Sequence, residues 1–138
     1  MQIRKLDLKE LQTAWDVVSQ LRTDMDYNEF EDLVYDMRES NYTMFGIFEK
    51  EELVTYAGVS INTNLYYKRH LFIHELVTDV KYRLQGYAKM MLEYLFDYAK
   101  VGACEHIVLF WDTSIKESSS LYKQNGFEGE NTVFVKTL

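Results

Sequence analysis

Residues 83–88, which read Arg-Leu-Gln-Gly-Tyr-Ala, have the composition and the surroundings of an anion site. They follow a run with strand character, residues 71–78, and they precede a segment whose apolar residues recur at helical spacing from Ala88 to Ala99. In such a layout the first N–H groups of the helix have no intrahelical partner, and the helix dipole is positive there. Glycine at position 86 lets a phosphate approach the backbone. The pattern therefore predicts a phosphate site at this turn.

A second motif, Tyr122-x-x-x-Gly126-Phe127, closes a predicted helix over residues 115–125. Three stretches, in this order, together resemble the GNAT superfamily of N-acetyltransferases, in particular bacterial members of unassigned substrate. They are Leu-Val-Thr-Asp at residues 76–79, Arg83-x-x-Gly86-x-Ala88 and the tyrosine motif. Two independent motifs in the right order, separated by one apolar strand, are more specific than either alone. The resemblance covers essentially the whole chain, with Leu84 where the family often has glycine.

The resemblance implies an acetyl-CoA-dependent N-acetyltransferase that transfers the acetyl group to a primary amine of a small molecule or peptide by direct attack in a ternary complex. Acetyl-CoA is the expected cosubstrate, and no metal is expected. Its pyrophosphate is expected on the amides of residues 83–88, and the acyl oxygen near a backbone N–H of Leu76 or Val77. The implied cofactor-binding residues are Leu76, Val77, Thr78, Arg83, Leu84, Gln85, Gly86, Tyr87, Ala88, Lys89 and Tyr122.

Amine acetylation benefits from a base, because an alkyl ammonium with a pKa near ~10.4 is almost entirely protonated at neutral pH. His74, Glu75 and Asp79 are the candidates on or beside the strand that precedes the turn. Side chains alternate along a strand, so His74 and Glu75 point to opposite faces unless a bulge intervenes. The resemblance favours Glu75, whereas histidine has the better intrinsic pKa. Either residue could instead be structural, and the choice stays open.

Tyr122 is implied as the general acid, with its hydroxyl near the CoA sulfur. The alternative interpretation of the whole chain is a non-catalytic acyl-CoA-binding regulatory module on the same fold, because a fold does not fix a function. Release of thiol from acetyl-CoA across a panel of amines would separate the two. Asp112, just beyond the apolar strand, is a further candidate to face the acceptor.

Length and composition indicate a single globular domain over residues 1–138, with a formal net charge of −7. That charge argues against a nucleic-acid partner and is compatible with a cationic amine, as is the acidic stretch of residues 22–32. The sequence shows no secretory signal and no apolar run long enough to span a membrane, so a cytoplasmic protein without a membrane partner is expected. The resemblance also implies that the chain can form a homodimer.

The expected fold is α/β, the GNAT fold, with a mixed central β-sheet flanked by helices on both sides. Helices are predicted from about Asp7 and over residues 28–39, where Asn28 is a plausible N-cap. Strands are predicted at residues 42–48 and 53–63. The apolar run of residues 106–111 predicts a parallel strand buried on both faces. A last strand is predicted over residues 132–138.

Overall fold

The computed structural model describes residues 1–111, 116–129 and 131–138, with no side-chain detail at 116–118. The strands are β1 (Gln2–Lys5), β2 (Thr43–Glu49), β3 (Glu52–Asn64), β4 (Lys68–Thr78) and β5 (His106–Leu109). The helices are α1 (Leu11–Val18), α2 (Tyr27–Met37), α3 (Tyr87–Val101) and α4 (Lys116–Gln124). Short 3-10 turns lie at Leu8–Glu10, Arg38–Ser40 and Val80–Tyr82. Among the described residues, no helix is long and apolar enough to cross a bilayer.

The strands form one sheet in the order β1-β2-β3-β4-β5. The first four strands are antiparallel neighbours, and β5 pairs in parallel with β4 from His70↔His106 to Ile73↔Leu109. The parallel pair is possible because α3 carries the chain from one end of the sheet back to the other. The predicted mixed sheet and the predicted parallel strand are thereby confirmed.

Helices cover both faces of the sheet. The side chains of the long strands alternate between the two faces and contribute to one apolar cluster on each. One cluster packs α1 and α2 against residues such as Met44 and Tyr56, and the other packs α3 against Phe45 and Ala57. The buried residues of α3 are Met91, Leu92, Leu95 and Ala99, which is the helical spacing seen in the sequence. This confirms the prediction of helices on both sides of the sheet.

The starts of the first two helical segments are fixed by aspartate caps. Asp7 accepts a hydrogen bond from the Lys9 N–H in a capping box with Glu10. Asp26 accepts from the Glu29 N–H at 2.9 Å, so the predicted N-cap at Asn28 is wrong. The Asp26 backbone is extended, as a cap requires, and this lets its carboxylate reach the free N–H groups of the first turn.

Two predictions about the last part of the chain need correction. The strand expected over residues 106–111 ends at Leu109 and is only half-buried, because β5 is the edge of the described sheet and has β4 as its one strand neighbour there. Residues 132–138 form no strand in the described structure. Their β-branched and aromatic residues favour a strand, but a strand requires a paired neighbour for its N–H and C=O groups, and these residues pair with no strand of the described chain.

Candidate active site

The turn between β4 and α3 has the features of an anion site. Gly86 is the N-cap of α3 and has a φ of 86°, a left-handed conformation that glycine adopts readily. No side chain caps this helix start, and the first turn carries no acidic residue. A Cβ atom at position 86 would meet nothing within 4 Å, so the space over the turn is open. The amides of Tyr87, Ala88 and Lys89 are therefore available to an anion.

Leu84 in the same turn also has a left-handed backbone, with a φ of 63°. This conformation costs a residue with a side chain roughly 1–2 kcal/mol. The Leu84 side chain is fully exposed and contributes no burial in return. The backbone at position 84 thus has the conformation that a glycine would adopt without strain. Leucine in place of the family's frequent glycine therefore leaves the shape of the turn unchanged.

The sheet opens between β4 and β5 next to this turn. β5 pairs with β4 only as far as Ile73, whereas β4 continues to Thr78 along β3. The edge of β4 that faces β5 is therefore without a strand partner, among the described residues, from His74 onward. Leu76 and Val77, two of the predicted cofactor-binding residues, lie in this stretch. An opening of this kind exposes backbone N–H and C=O groups to a bound molecule.

A β-bulge decides where His74 and Glu75 point. In the register of β3 and β4, Gly58 pairs with Glu75 and Val59 with Ile73, so His74 is an extra residue on its strand. The bulge turns both side chains to the α1 and α2 face of the sheet. There Tyr42 donates a hydrogen bond to Glu75, and its ring centroid lies 5.5 Å from that of His74.

Glu75 ends a buried chain of hydroxyl groups. The hydroxyl oxygens of Tyr42 and Tyr56 are 2.7 Å apart. Because the single proton of Tyr42 goes to Glu75, the Tyr56 hydroxyl must donate to Tyr42. Gly58 makes this meeting possible, since a Cβ atom there would collide with both the Tyr42 hydroxyl and the Glu75 carboxylate.

Burial shifts the proton affinities of this cluster. Desolvation raises the pKa of Glu75, and the Tyr42 hydrogen bond and the positive charge of Arg22 partly oppose the shift. Desolvation, followed by the Arg22 charge, lowers the pKa of His74, so the imidazole is neutral near pH 7. Arg22 Nη2 lies 4.0 Å from Glu75 Oε2 and donates to the backbone carbonyl of His74 at 3.1 Å. The Arg22 side chain thus holds the bulge and faces its carboxylate.

A cavity of about 350 Å³ lies directly beside this cluster, on the face covered by α2. Tyr42 and His74 line it, and Ser60 also lines it and holds His74 Nε2 at 2.8 Å from its Oγ. Glu75 does not line the cavity, but it accepts a hydrogen bond from Tyr42, which does. Asp36, an exposed residue, also lines the cavity. The remaining lining residues are Met37, Ser40 and Asn62.

Tyr122 lies on α4, whose end is fixed by the glycine of its motif. Gly126 has a φ of 88° and turns the chain, so that the Phe127 N–H bonds the Tyr122 carbonyl at 3.0 Å. The Phe127 ring then packs against Tyr122 and against Phe96 of α3, with centroid distances of 5.7 and 5.9 Å. Burial raises the pKa of the Tyr122 phenol, which keeps its proton on the oxygen at neutral pH.

The other predicted candidates have structural surroundings. Asp79 is buried and accepts from the Lys81 N–H at 2.9 Å, so it caps the 3-10 turn after β4. In the acidic stretch, Glu31 accepts from the Tyr27 hydroxyl, and none of its carboxylates lines the cavity beside His74. Asp112 lies outside the described residues.

No motif in the sequence pointed to Arg22, Tyr42 or Ser60 as site residues. Tyr42 is one of eleven tyrosines, and it lies 33 residues from the glutamate that it contacts. The small residue at position 58 was the one available signal, because a glycine inside a strand marks a close approach of neighbouring groups.

The described residues thus form a mixed α/β sheet that opens beside a glycine-capped helix and next to a cavity lined by Tyr42 and His74. The sequence matches the acetyltransferase (GNAT) family over residues 5–127, and the chain belongs to that family. It is 26% identical over 130 residues to YhdJ, an uncharacterised N-acetyltransferase of Bacillus subtilis, covering 93% of this chain and 92% of that protein. The chain is thus an enzyme of the N-acetyltransferase class, and the family normally uses acetyl-CoA.

Solved structures share the whole fold. A transcriptional regulator from Bacillus halodurans superposes with a TM-score of 0.86 at 20% identity, covering 99% of each chain. A ribosomal-protein-alanine N-acetyltransferase from Brucella melitensis gives 0.85 at 15% identity over 100% of each chain. Glucosamine-6-phosphate N-acetyltransferase from Arabidopsis thaliana gives 0.77 at 19% identity, covering 99% of this chain and 97% of that one. At these identities the likeness concerns the fold alone.

Proposed function

We propose that this protein transfers the acetyl group of acetyl-CoA directly to the primary amine of a small, cationic acceptor bound in the cavity beside His74. The observation that carries the proposal is the bulge in β4. It places His74 in the lining of that cavity and Glu75 behind Tyr42, at the point where β4 and β5 separate. The proposed base, the proposed acceptor cavity and the opening in the sheet are thus all adjacent to β4.

The residues of the β4–α3 turn fit a nucleotide pyrophosphate. The left-handed Gly86 and the open space above it leave the first amides of α3 free for phosphate oxygens, and the helix dipole favours the negative charge. Arg83 and Lys89 are exposed beside the turn and can add positive charge. When bound, the cosubstrate supplies an acyl group activated as a thioester. The unpartnered edge of β4 supplies a backbone N–H of Leu76 or Val77 for the acyl oxygen.

Glu75 is proposed as the final proton acceptor, working through Tyr42. The acceptor amine gives its proton to the Tyr42 oxygen on the cavity wall, while Tyr42 passes its own proton to the carboxylate behind it. Burial raises the pKa of Glu75, which makes it a stronger base than an exposed carboxylate. His74 is neutral and held by Ser60, and it orients the amine. Tyr122, which keeps its proton, is proposed to donate it to the departing thiolate.

The acceptor is proposed to carry a positive charge besides the reacting amine. Asp36 is an exposed carboxylate in the lining of the cavity that His74 also lines. An exposed carboxylate attracts a second ammonium or a guanidinium group from solution. Spermidine, arginine and short peptides with lysine are therefore expected to react faster than uncharged amines.

Release of CoA thiol from acetyl-CoA in the presence of a panel of amines tests the proposal. Thiol release that depends on a dicationic amine, and that falls when Asp36 is changed to Asn, is expected. Glu39→Gln, an equivalent change at an exposed acid just after α2, is the control and should leave the rates unchanged. Binding of acetyl-CoA without amine-dependent thiol release from any acceptor would contradict the proposed reaction.

A further inference from the structure

The cavity beside His74 contains a hydroxyl group that the proposed acetyl transfer does not use as a reactant. Ser60 lies on β3, is only 2% exposed and lines this cavity. Its Oγ lies 2.8 Å from His74 Nε2, which is within hydrogen-bond distance. A free serine hydroxyl is a weak nucleophile, and contact with a basic nitrogen is what activates it. Ser60 and His74 therefore have the geometry of a nucleophile and its base.

Neighbouring groups hold the imidazole of His74 in place against Ser60. The ring contacts the rings of Tyr42 and Phe72, with centroid distances of 5.5 and 4.7 Å. Arg22 donates to the backbone carbonyl of the same histidine at 3.1 Å. Desolvation lowers the pKa of His74, so the ring is neutral near pH 7 and one of its nitrogens can accept a proton. In the tautomer that carries its proton on Nδ1, Nε2 accepts the hydrogen of the Ser60 hydroxyl.

Asn62 adds a hydrogen-bond donor to the same cavity. Side chains alternate along a strand, so Ser60 and Asn62 lie on the same face of β3, and both line the cavity. Two residues of an extended strand span roughly 7 Å. The carboxamide N–H of Asn62 can therefore reach the oxygen of a carbonyl group whose carbon lies at Ser60 Oγ, where negative charge develops during attack. The cavity volume of about 350 Å³ is enough for a small ester.

We propose that Ser60, His74 and Asn62 give this protein a second activity, the hydrolysis of small carboxylic esters through an acyl-serine intermediate. Ser60 Oγ bonds to the acyl carbon and passes its proton to His74 Nε2, which protonates the alcohol as the ester C–O bond breaks. Water then attacks the acyl-serine and gives a proton to the same nitrogen. The carboxylic acid leaves as Ser60 Oγ takes that proton back. This activity goes beyond the proposed acetyl transfer, because it needs neither acetyl-CoA nor an amine.

Reaction of the protein with p-nitrophenyl acetate, in the absence of acetyl-CoA and amines, tests the proposal. We expect a burst of about one p-nitrophenolate per chain, followed by slower turnover as the acyl-serine is hydrolysed. Mass spectrometry of the acid-quenched protein should place one added acetyl group on Ser60. Release of p-nitrophenolate no faster than the spontaneous rate, or acetyl groups only on other side chains, would overturn the proposal. Neither outcome would bear on the proposed acetyl transfer, since neither of its substrates is present.

Substitutions at position 60 separate its chemistry from its contribution to the fold. Ser60→Ala should lose the burst, whereas Ser60→Cys, which keeps a nucleophile of similar size, should still be acetylated at this position. His74→Gln should slow the burst by roughly 10²-fold, because the base is lost. Ser19→Ala, at a half-buried serine after α1 that does not line the cavity, is the control and should behave as wild type. A wild-type burst in Ser60→Ala or His74→Gln, or a folded Ser60→Cys that is not acetylated at position 60, would refute the proposal.

Discussion

At the scale of single residues, the site depends on a carboxylate that is removed from water and yet remains able to accept a proton. Glu75 has only 13% of its side chain exposed, and its nearest polar neighbours are Tyr42 and Arg22. Burial alone would favour the neutral acid, and the hydrogen bond and the distant guanidinium restore part of the charged form. The resulting raised pKa is what a general base in neutral solution requires.

Replacing the two candidate bases in turn is expected to separate their roles. Glu75→Gln should lower kcat by roughly 10²- to 10⁴-fold, because it removes the final proton acceptor while keeping the volume and the Tyr42 contact. His74→Gln should lower kcat less and raise KM for the amine. The pH profile of kcat/KM should lose its acidic limb in Glu75→Gln and keep it in His74→Gln. The reverse pattern would transfer the role of base to His74.

Removing the Tyr122 hydroxyl should affect the chemical step and spare binding. Tyr122→Phe is expected to lower kcat by about 10²-fold, since the departing thiolate loses its proton donor. The Kd of CoA, measured by calorimetry, should stay unchanged. Tyr98→Phe, at a half-buried tyrosine of α3, is the matched control and should behave as wild type. An unaltered kcat in Tyr122→Phe would remove this residue from the mechanism.

At the scale of elements, the site is a product of where β4 departs from regularity. The bulge at His74 and the end of β5 pairing at Ile73 fall at the same place along the strand. The bulge places His74 in the lining of the cavity and Glu75 behind Tyr42, and the end of the β5 pairing leaves the edge of β4 open. The α3 start with Gly86 then faces the opening from the end of β4.

Two substitutions of Gly86 test the proposed phosphate site, one that adds only backbone strain and one that adds a negative charge. Gly86→Ala adds a side chain to a left-handed residue in open space, so it should cost about 1 kcal/mol of stability and little CoA affinity. Gly86→Glu adds a negative charge at the proposed phosphate position and should abolish binding of acetyl-CoA by calorimetry. Its melting temperature should stay close to that of the alanine variant. Retained affinity in Gly86→Glu would exclude the phosphate site from this turn.

The glycine in β3 can be tested by filling the space it leaves. Gly58→Ala should push Tyr42 away from Glu75, which costs about 1–3 kcal/mol of stability as an overpacked core position. Activity should fall further than stability explains, because the proton path is interrupted. Gly129→Ala, in open space, is the control. Wild-type activity in a folded Gly58→Ala variant would contradict the path through Tyr42.

At the scale of the whole molecule, the burial of Glu75 favours its proposed role as a base but lowers the stability of the fold when the carboxylate is ionised. The folded-state pKa of Glu75 is raised, so the stability linked to its proton is complete below the ordinary pKa of glutamate and is lost as the pH rises through the folded-state value. The ionised form of this carboxylate is thus held in the native state at a free-energy cost. The enzyme tolerates the cost because two apolar clusters, one on each face of the sheet, supply the stability of the domain.

Glu75→Gln is therefore expected to raise the free energy of unfolding at pH 7, and the gain should vanish as the pH falls well below ~4, where glutamate is protonated in both states. Glu10→Gln is the control of opposite sign. Its pKa is lowered by the Arg4 hydrogen bond, so the wild-type residue stabilises the fold above the unfolded pKa and loses that effect in acid. Urea unfolding at several pH values measures both. A destabilised Glu75→Gln at neutral pH would contradict the raised pKa.

Local pattern was enough to predict much of the fold. The helical spacing of Met91, Leu92 and Leu95, and the glycine before α3, are properties of neighbouring residues, and the structure has both. The short edge strand β5 was predicted too long and too deeply buried. The burial of a strand depends on the elements that pack against it, and the apolar run of residues 106–111 does not show which elements these are.

The sequence by itself was enough to predict the family, most of the elements in their order and the glycine turn before α3, because motifs and apolar spacing are properties of residues a few positions apart. Only the tertiary structure decided how the site is assembled. The bulge at His74 depends on register with β3, and the partners of Glu75 come from α1-proximal Arg22 and from Tyr42 before β2. Such contacts join residues tens of positions apart, and no local spacing carries the information that they will meet.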